Sequence, residues 1–110
     1  MRAVDIDVQA RFAACQNAKR NGLSRRQIQT FHPDDLPSSP ADLLLANILA
    51  RPLIELTQRF ASLLRPHARI VLSGLLASQS ESLVTACTPW FDLVQSRGRD
   101  GWVLLEGARR

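Results

Sequence analysis

The chain has 110 residues, 45% of them hydrophobic, and a formal charge of +4 from 14 Lys and Arg against 10 Asp and Glu. This length allows one domain at most, spanning residues 1–110, and the apolar content excludes disorder throughout. No apolar run is long enough to cross a bilayer, and Asp5 and Asp7 fall where a signal peptide keeps its hydrophobic region, so a cytoplasmic protein without membrane contact is expected.

Taken in order, Arg2 to Ile6 read as a short strand with Asp5 near its carboxyl end. Asp7 is placed to cap the helix that follows, on which Ala10, Ala13, Ala14 and Ala18 supply a small-residue packing face. Asn21-Gly22 stops that helix, because glycine accepts the left-handed conformation a helix terminus needs. Gln27 to Phe31 alternates weakly and is expected as an edge strand. His32 to Pro40, rich in proline and serine, is a loop.

Asp42-Leu43-Leu44-Leu45-Ala46-Asn47 organises the rest. A strand with no polar alternation is expected to be buried on both faces, as in the middle of a parallel sheet. Asn47, at its carboxyl end, would sit where open α/β sheets bind ligands. Pro52 belongs in the first turn of a helix, and Leu53, Leu56, Phe60, Leu63 and Leu64 recur at the spacing of one buried face. Arg65-Pro66 ends that helix. Arg69 to Gly74 is a second buried strand. Ser78 with Glu81 has the pattern of a capping box, opening a helix that turns Leu83, Val84 and Cys87 inward until Pro89. Phe91 to Gln95 and Trp102 to Glu106 are strands joined by a glycine-containing connection, hence antiparallel. The alternation predicts an α/β fold, parallel in its body with an antiparallel carboxyl-terminal strand pair.

Cys15 and Cys87 are too few and too far apart for a disulfide framework or a metal knuckle, so each is read as a small buried hydrophobe and no metal is expected. The basic residues are scattered and are not interleaved with aromatics, so no direct nucleic-acid binding is expected. His32 and His67 have no partner at a catalytic or metal-ligand spacing, and Trp90 and Trp102 are read as packing residues.

Four stretches carry a family likeness: Ala3 to Asp7 with Gln9-Ala10, Gln16 to Gly22, Ala46 to Ala50 with Pro52-Leu53, and Leu72 to Gln79. With their spacing, they resemble the ribosomal protein L-eleven methyltransferase (PrmA) family, in the later part of its class I S-adenosylmethionine-dependent methyltransferase domain. The resemblance implies a Rossmann-like sheet, incomplete here. It starts at the family's second strand, without the first strand and its glycine-rich loop and without the amino-terminal recognition domain. A truncated product is therefore expected.

The same resemblance implies S-adenosylmethionine as cofactor and transfer of its methyl group to amino groups of a large-subunit ribosomal protein. Asp5 would accept hydrogen bonds from the ribose hydroxyls, and Ile6 would pack on the adenine face; capping by Asp5 and burial of Ile6 in a sheet are the plain alternatives. Asn47 would accept a hydrogen bond from the attacking amine and meet the cofactor, while Ile48, through its carbonyl, and Gly74 would border the substrate. A neutral amide suits this role, since a carboxylate would favour the protonated, unreactive amine. Asp34 or Asp35 would reach the adenine amino group only if drawn out of solvent.

A chain lacking the first strand is expected to bind S-adenosylmethionine poorly or not at all and to be inactive alone; its remaining strands must pair directly, form a homodimer through the exposed gap in the sheet, or stay partly unfolded. The alternative functions are a non-catalytic remnant acting as an interaction fragment and, on charge alone, an RNA-binding module.

Overall fold

The computed structural model describes residues 1–47 and 49–110. It comprises two compact units, Met1–Ser38 and Ser39–Arg110.

In the first unit, β1 (Arg2–Val4) and β2 (Gln29–Phe31) pair in parallel on either side of helix α1 (Val8–Arg20) in the sequence. β1 is shorter than the sequence suggested. The Asp5 amide still reaches the Phe31 carbonyl at 3.2 Å, but the Asp5 carboxylate then accepts from the Asp7 amide at 2.9 Å. That turn bends the chain out of the ladder before Ile6. Asp7 caps α1 as expected, its Oδ1 accepting from the Gln9 amide at 2.9 Å. At the other end Gly22 has φ +71°, and the amides of Gly22 and Leu23 donate to Lys19 and Ala18. This is a Schellman termination, and Lys19 and Arg20 favour the negative end of the helix dipole. Ala10, Ala14 and Ala18 face inward at four-residue spacing, whereas Ala13 is exposed. Cys15 is also exposed, not the buried hydrophobe expected of it; it lies one step off the Ala10–Ala14–Ala18 row and meets Thr30 at 3.5 Å.

The second unit is a four-stranded sheet in the order β3-β4-β6-β5 with two helices. β3 (Ala41–Asn47) runs parallel to β4 (Leu64–Leu76), helix α2 (Ala50–Ser62) connecting them. Helix α3 (Ser80–Cys87) leads to the antiparallel pair β5 (Phe91–Arg99) and β6 (Trp102–Arg109), with β6 antiparallel to β4. The element order and the parallel-then-antiparallel plan are those the sequence predicts, and the core lies on one face of this sheet. There Leu53 and Ala61 of α2, Leu83 and Cys87 of α3, and Ile70, Leu72, Leu93 and Leu105 of the strands are buried together.

The burial of β3 differs from expectation. Leu44 and Ala46 pack against the core, but Leu43 and Leu45 are 52% and 68% exposed. Among the described residues the strand pairs only with β4, so it is an edge, and alternate side chains of its apolar run face away from the core. On α2 the buried line is Leu53, Thr57 and Ala61, four residues apart, and Leu56 lies outside it. Thr57 tolerates burial because its hydroxyl donates to the Leu53 carbonyl at 2.9 Å.

β4 begins earlier than predicted, at Leu64. The register jumps from Ala41↔Leu64 to Leu43↔Arg69, so Arg65 to Ala68 form a bulge in which Arg65, Pro66 and His67 are exposed, Ala68 turns into the core, and His67 takes φ +66°. The even ladder starts at Arg69, the residue at which the sequence signal begins. Ser78 does not cap α3. A 3-10 turn over Ala77–Gln79 intervenes, and the Gln79 side chain accepts from the Leu76 amide at 3.0 Å. The β5–β6 turn needs only Asp100 and Gly101, at φ +52° and +83°, so Ser96 to Arg99 join the strand. Among the described residues, no helix is long and apolar enough to cross a membrane.

Candidate functional site

The parallel strand β3 ends at Asn47, in register with Ser73 near the carboxyl end of β4. Just beyond, β4 is irregular: Leu72 pairs with Leu105 and Leu75 with Val103, so Ser73 and Gly74 together oppose Leu104. Gly74 has φ +79°, a conformation that favours glycine. The bulge opens a depression of about 730 Å³ at the carboxyl ends of these two strands. Asn47, Ser73 and Gly74 line one side, and Arg97, Arg99 and Trp102 of the β5–β6 hairpin line the other. Ligands of open α/β sheets bind at this end of the strands.

Asn47 is exposed at the strand tip, which leaves a neutral acceptor and a neutral donor facing the depression. Asn47 and Gly74, singled out separately in the sequence, therefore border one depression. Ile48 lies outside the described residues. Asp5 and Ile6 belong to the first unit. The exposed Asp5 carboxylate sits just past the tip of β1, with Oδ1 taking the Asp7 amide and the backbone carbonyl taking the Arg11 guanidinium at 2.7 Å. An ionised carboxylate there is an acceptor only, a chemistry that fits the vicinal hydroxyls of a ribose. Helix capping falls to Asp7. Ile6 is 74% exposed, which removes the buried-sheet account of that residue and leaves an apolar side chain at the surface.

Asp34 and Asp35 are exposed in a 3-10 turn, where the Asp34 amide donates to His32 Nδ1 at 3.1 Å. That bond explains His32 as a local cap. Trp90 packs partly buried against the core, but Trp102 is 53% exposed on the depression. The packing role read for Trp102 is thus corrected: it is the first residue of β6, directly after the turn, where the sheet offers little cover. The stretch around Arg97 and Arg99 reads as a turn, which hides them in the sequence; two arginines flanking a glycine ahead of a tryptophan are the signal that marks them.

A family model described as "Ribosomal protein L11 methyltransferase (PrmA)" matches residues 1–110. Among curated relatives, the ribosomal protein L11 methyltransferase of Pseudomonas savastanoi pv. phaseolicola is 47% identical over 106 residues, covering 96% of this chain and 36% of the relative. That of Azotobacter vinelandii is 45% identical with the same coverage. The chain thus spans about a third of the length of the curated relatives it matches. Among solved structures, the ribosomal protein L11 methylase of Lactobacillus delbrueckii subsp. bulgaricus superposes with a TM-score of 0.87 at 27% identity, covering 99% of this chain and 57% of that one. The N-methyltransferase NodS of Bradyrhizobium japonicum WM9, solved with S-adenosyl-L-homocysteine, shares the fold at TM-score 0.72 and 20% identity, over 98% of this chain and 65% of that one. The fold is a mixed α/β one with a partial sheet of the class I methyltransferase kind, and the chain belongs to the ribosomal protein L11 methyltransferase (PrmA) family.

Proposed function

We propose that this chain supplies the amine-orienting part of an S-adenosylmethionine-dependent protein N-methyltransferase acting on amino groups of ribosomal protein L11. One observation carries the reading: Asn47, a neutral acceptor, stands at the tip of a parallel strand on the rim of an open depression, next to the glycine bulge of the neighbouring strand.

The cofactor, when bound, supplies a methyl group activated on a sulfonium sulfur. The task of the chain is to present a neutral amine in line with that carbon. The Asn47 side-chain carbonyl accepts an amine N–H and so fixes the direction of the lone pair. Because the amide is uncharged, it does not stabilise the ammonium form. The Ile48 carbonyl is proposed as a second acceptor and Gly74 as the residue whose missing side chain admits the substrate. Asp5 is proposed to hold the ribose hydroxyls of the cofactor, with Ile6 against its adenine. Alone, the 110-residue chain is expected to show no turnover.

The test is a chimera in which this chain replaces the matching 106 residues of the Pseudomonas savastanoi relative. Mass spectrometry of ribosomal protein L11 should show methylation by the chimera, and Asn47→Ala should slow it by about 100-fold. Methylation at the parental rate by the Asn47→Ala chimera would sink the proposal.

A further inference from the structure

The depression beside Asn47 is uneven in charge. Arg97 and Arg99 line it, and among the described residues no aspartate or glutamate does. They flank Gly98 on β5, two positions apart, so both leave the same face of the strand. A two-residue turn closes the hairpin tightly, which fixes their spacing. Arg97 is exposed and makes no ion pair among the described residues. Arg99 has Asp100 at 3.8 Å, but both side chains are about nine-tenths exposed, and such a pair is weak in water.

Two guanidiniums repel a bare ammonium entering beside them. A target amine that arrives with a carboxylate close by meets the opposite situation, because a guanidinium binds a carboxylate through two parallel N–H···O bonds. We infer that Arg97 and Arg99 select acceptor segments of polypeptide that carry an acidic residue near the amine to be methylated. The identity of that amine rests on the function proposed for Asn47; the preference for an anion does not. A polypeptide fits better than RNA, since Trp102 is the one aromatic among the described residues lining the depression, whereas single-stranded RNA is held on a series of stacking rings.

The experiment is an NMR titration of the full 110-residue chain, without cofactor, with two short peptides. One has a lysine flanked by glutamates, and the other has glutamines in their place. The acidic peptide should bind about tenfold more tightly. It should shift the Gly98 and Arg99 amides and the Trp102 indole N–H. The Arg97→Gln/Arg99→Gln double variant should bind the two peptides equally. Equal affinity for the wild-type chain, absence of binding by either peptide, or an undiminished preference in the double variant would overturn the inference. A single-stranded RNA oligonucleotide that displaces the acidic peptide at lower concentration would overturn it too, in favour of a nucleic-acid surface. Because binding is read without methyl transfer, failure here leaves the Asn47 chimera test standing, and the reverse holds.

Discussion

Thr57 and Cys87 form a polar contact inside the apolar core of the second unit. The Thr57 hydroxyl satisfies itself on the Leu53 carbonyl and lies 3.5 Å from the Cys87 sulfur. Burial pushes the Cys87 thiol above its ordinary value of 9.0, and the Thr57 contact offsets only part of that rise. The folded chain therefore holds this proton more tightly than the unfolded chain does. Stability from the neutral thiol is fully present below the unfolded value and is lost as pH climbs through the raised folded one. Melts taken at rising alkaline pH should show this loss in the parent, and Cys87→Ala should melt lower but with a flatter dependence above pH 9. Parallel slopes for the two proteins would place the thiolate in solvent. The other cysteine shows the limit of reading such residues by type. Cys15 has a helical pattern around it like Cys87, but the row of alanines that faces inward on α1 passes beside it.

At the scale of elements, the β5–β6 hairpin joins a position that tolerates no side chain to a turn that the sequence only half discloses. Gly107 of β6 pairs with Ile70 and Leu93, and a Cβ built there would collide with the Asp92 carbonyl oxygen. That neighbour is backbone of an adjacent strand and cannot swing aside. Gly107→Ala should cost about 3 kcal/mol or more, read as a fall in the denaturation midpoint with an unchanged slope. A midpoint within error of the parent would mean that β5 and β6 are not paired in this register. The hairpin itself was legible because two β-prone runs flank glycines. Its length was not, since Asp100-Gly101 alone supplies the two positive φ angles and frees Ser96 to Arg99 to continue the strand. The start of β4 escaped for a related reason: Arg65 to Ala68 carry a turn composition yet lie inside a strand as a bulge. At α3, Ser78 and Glu81 match a capping box, but the Gln79 side chain takes the Leu76 amide in its place.

For the whole molecule, the order of strands and helices followed from periodicity, and the Asn47 position from the end of an apolar run. What periodicity could not reveal is which side of that run meets another strand. β3 is the edge of the four-stranded sheet, with Leu43 and Leu45 exposed on a strand that contains neither lysine nor proline. Its one charge, Asp42, is engaged by Arg65. Edge strands are ordinarily kept apart by lysine, proline or a bulge, and over Leu43–Asn47 the ladder is even. The edge is also self-complementary: two copies can pair β3 against β3, antiparallel about a two-fold axis, in an isologous contact that closes. A homodimer through this edge is therefore expected. Sedimentation equilibrium at the concentrations used for NMR should show a monomer–dimer equilibrium, and Leu45→Lys should shift it to monomer with an unchanged far-ultraviolet circular dichroism spectrum. A parent chain that stays monomeric at those concentrations, or a Leu45→Lys variant that still dimerises, would mean that this edge is closed by something other than its own copy.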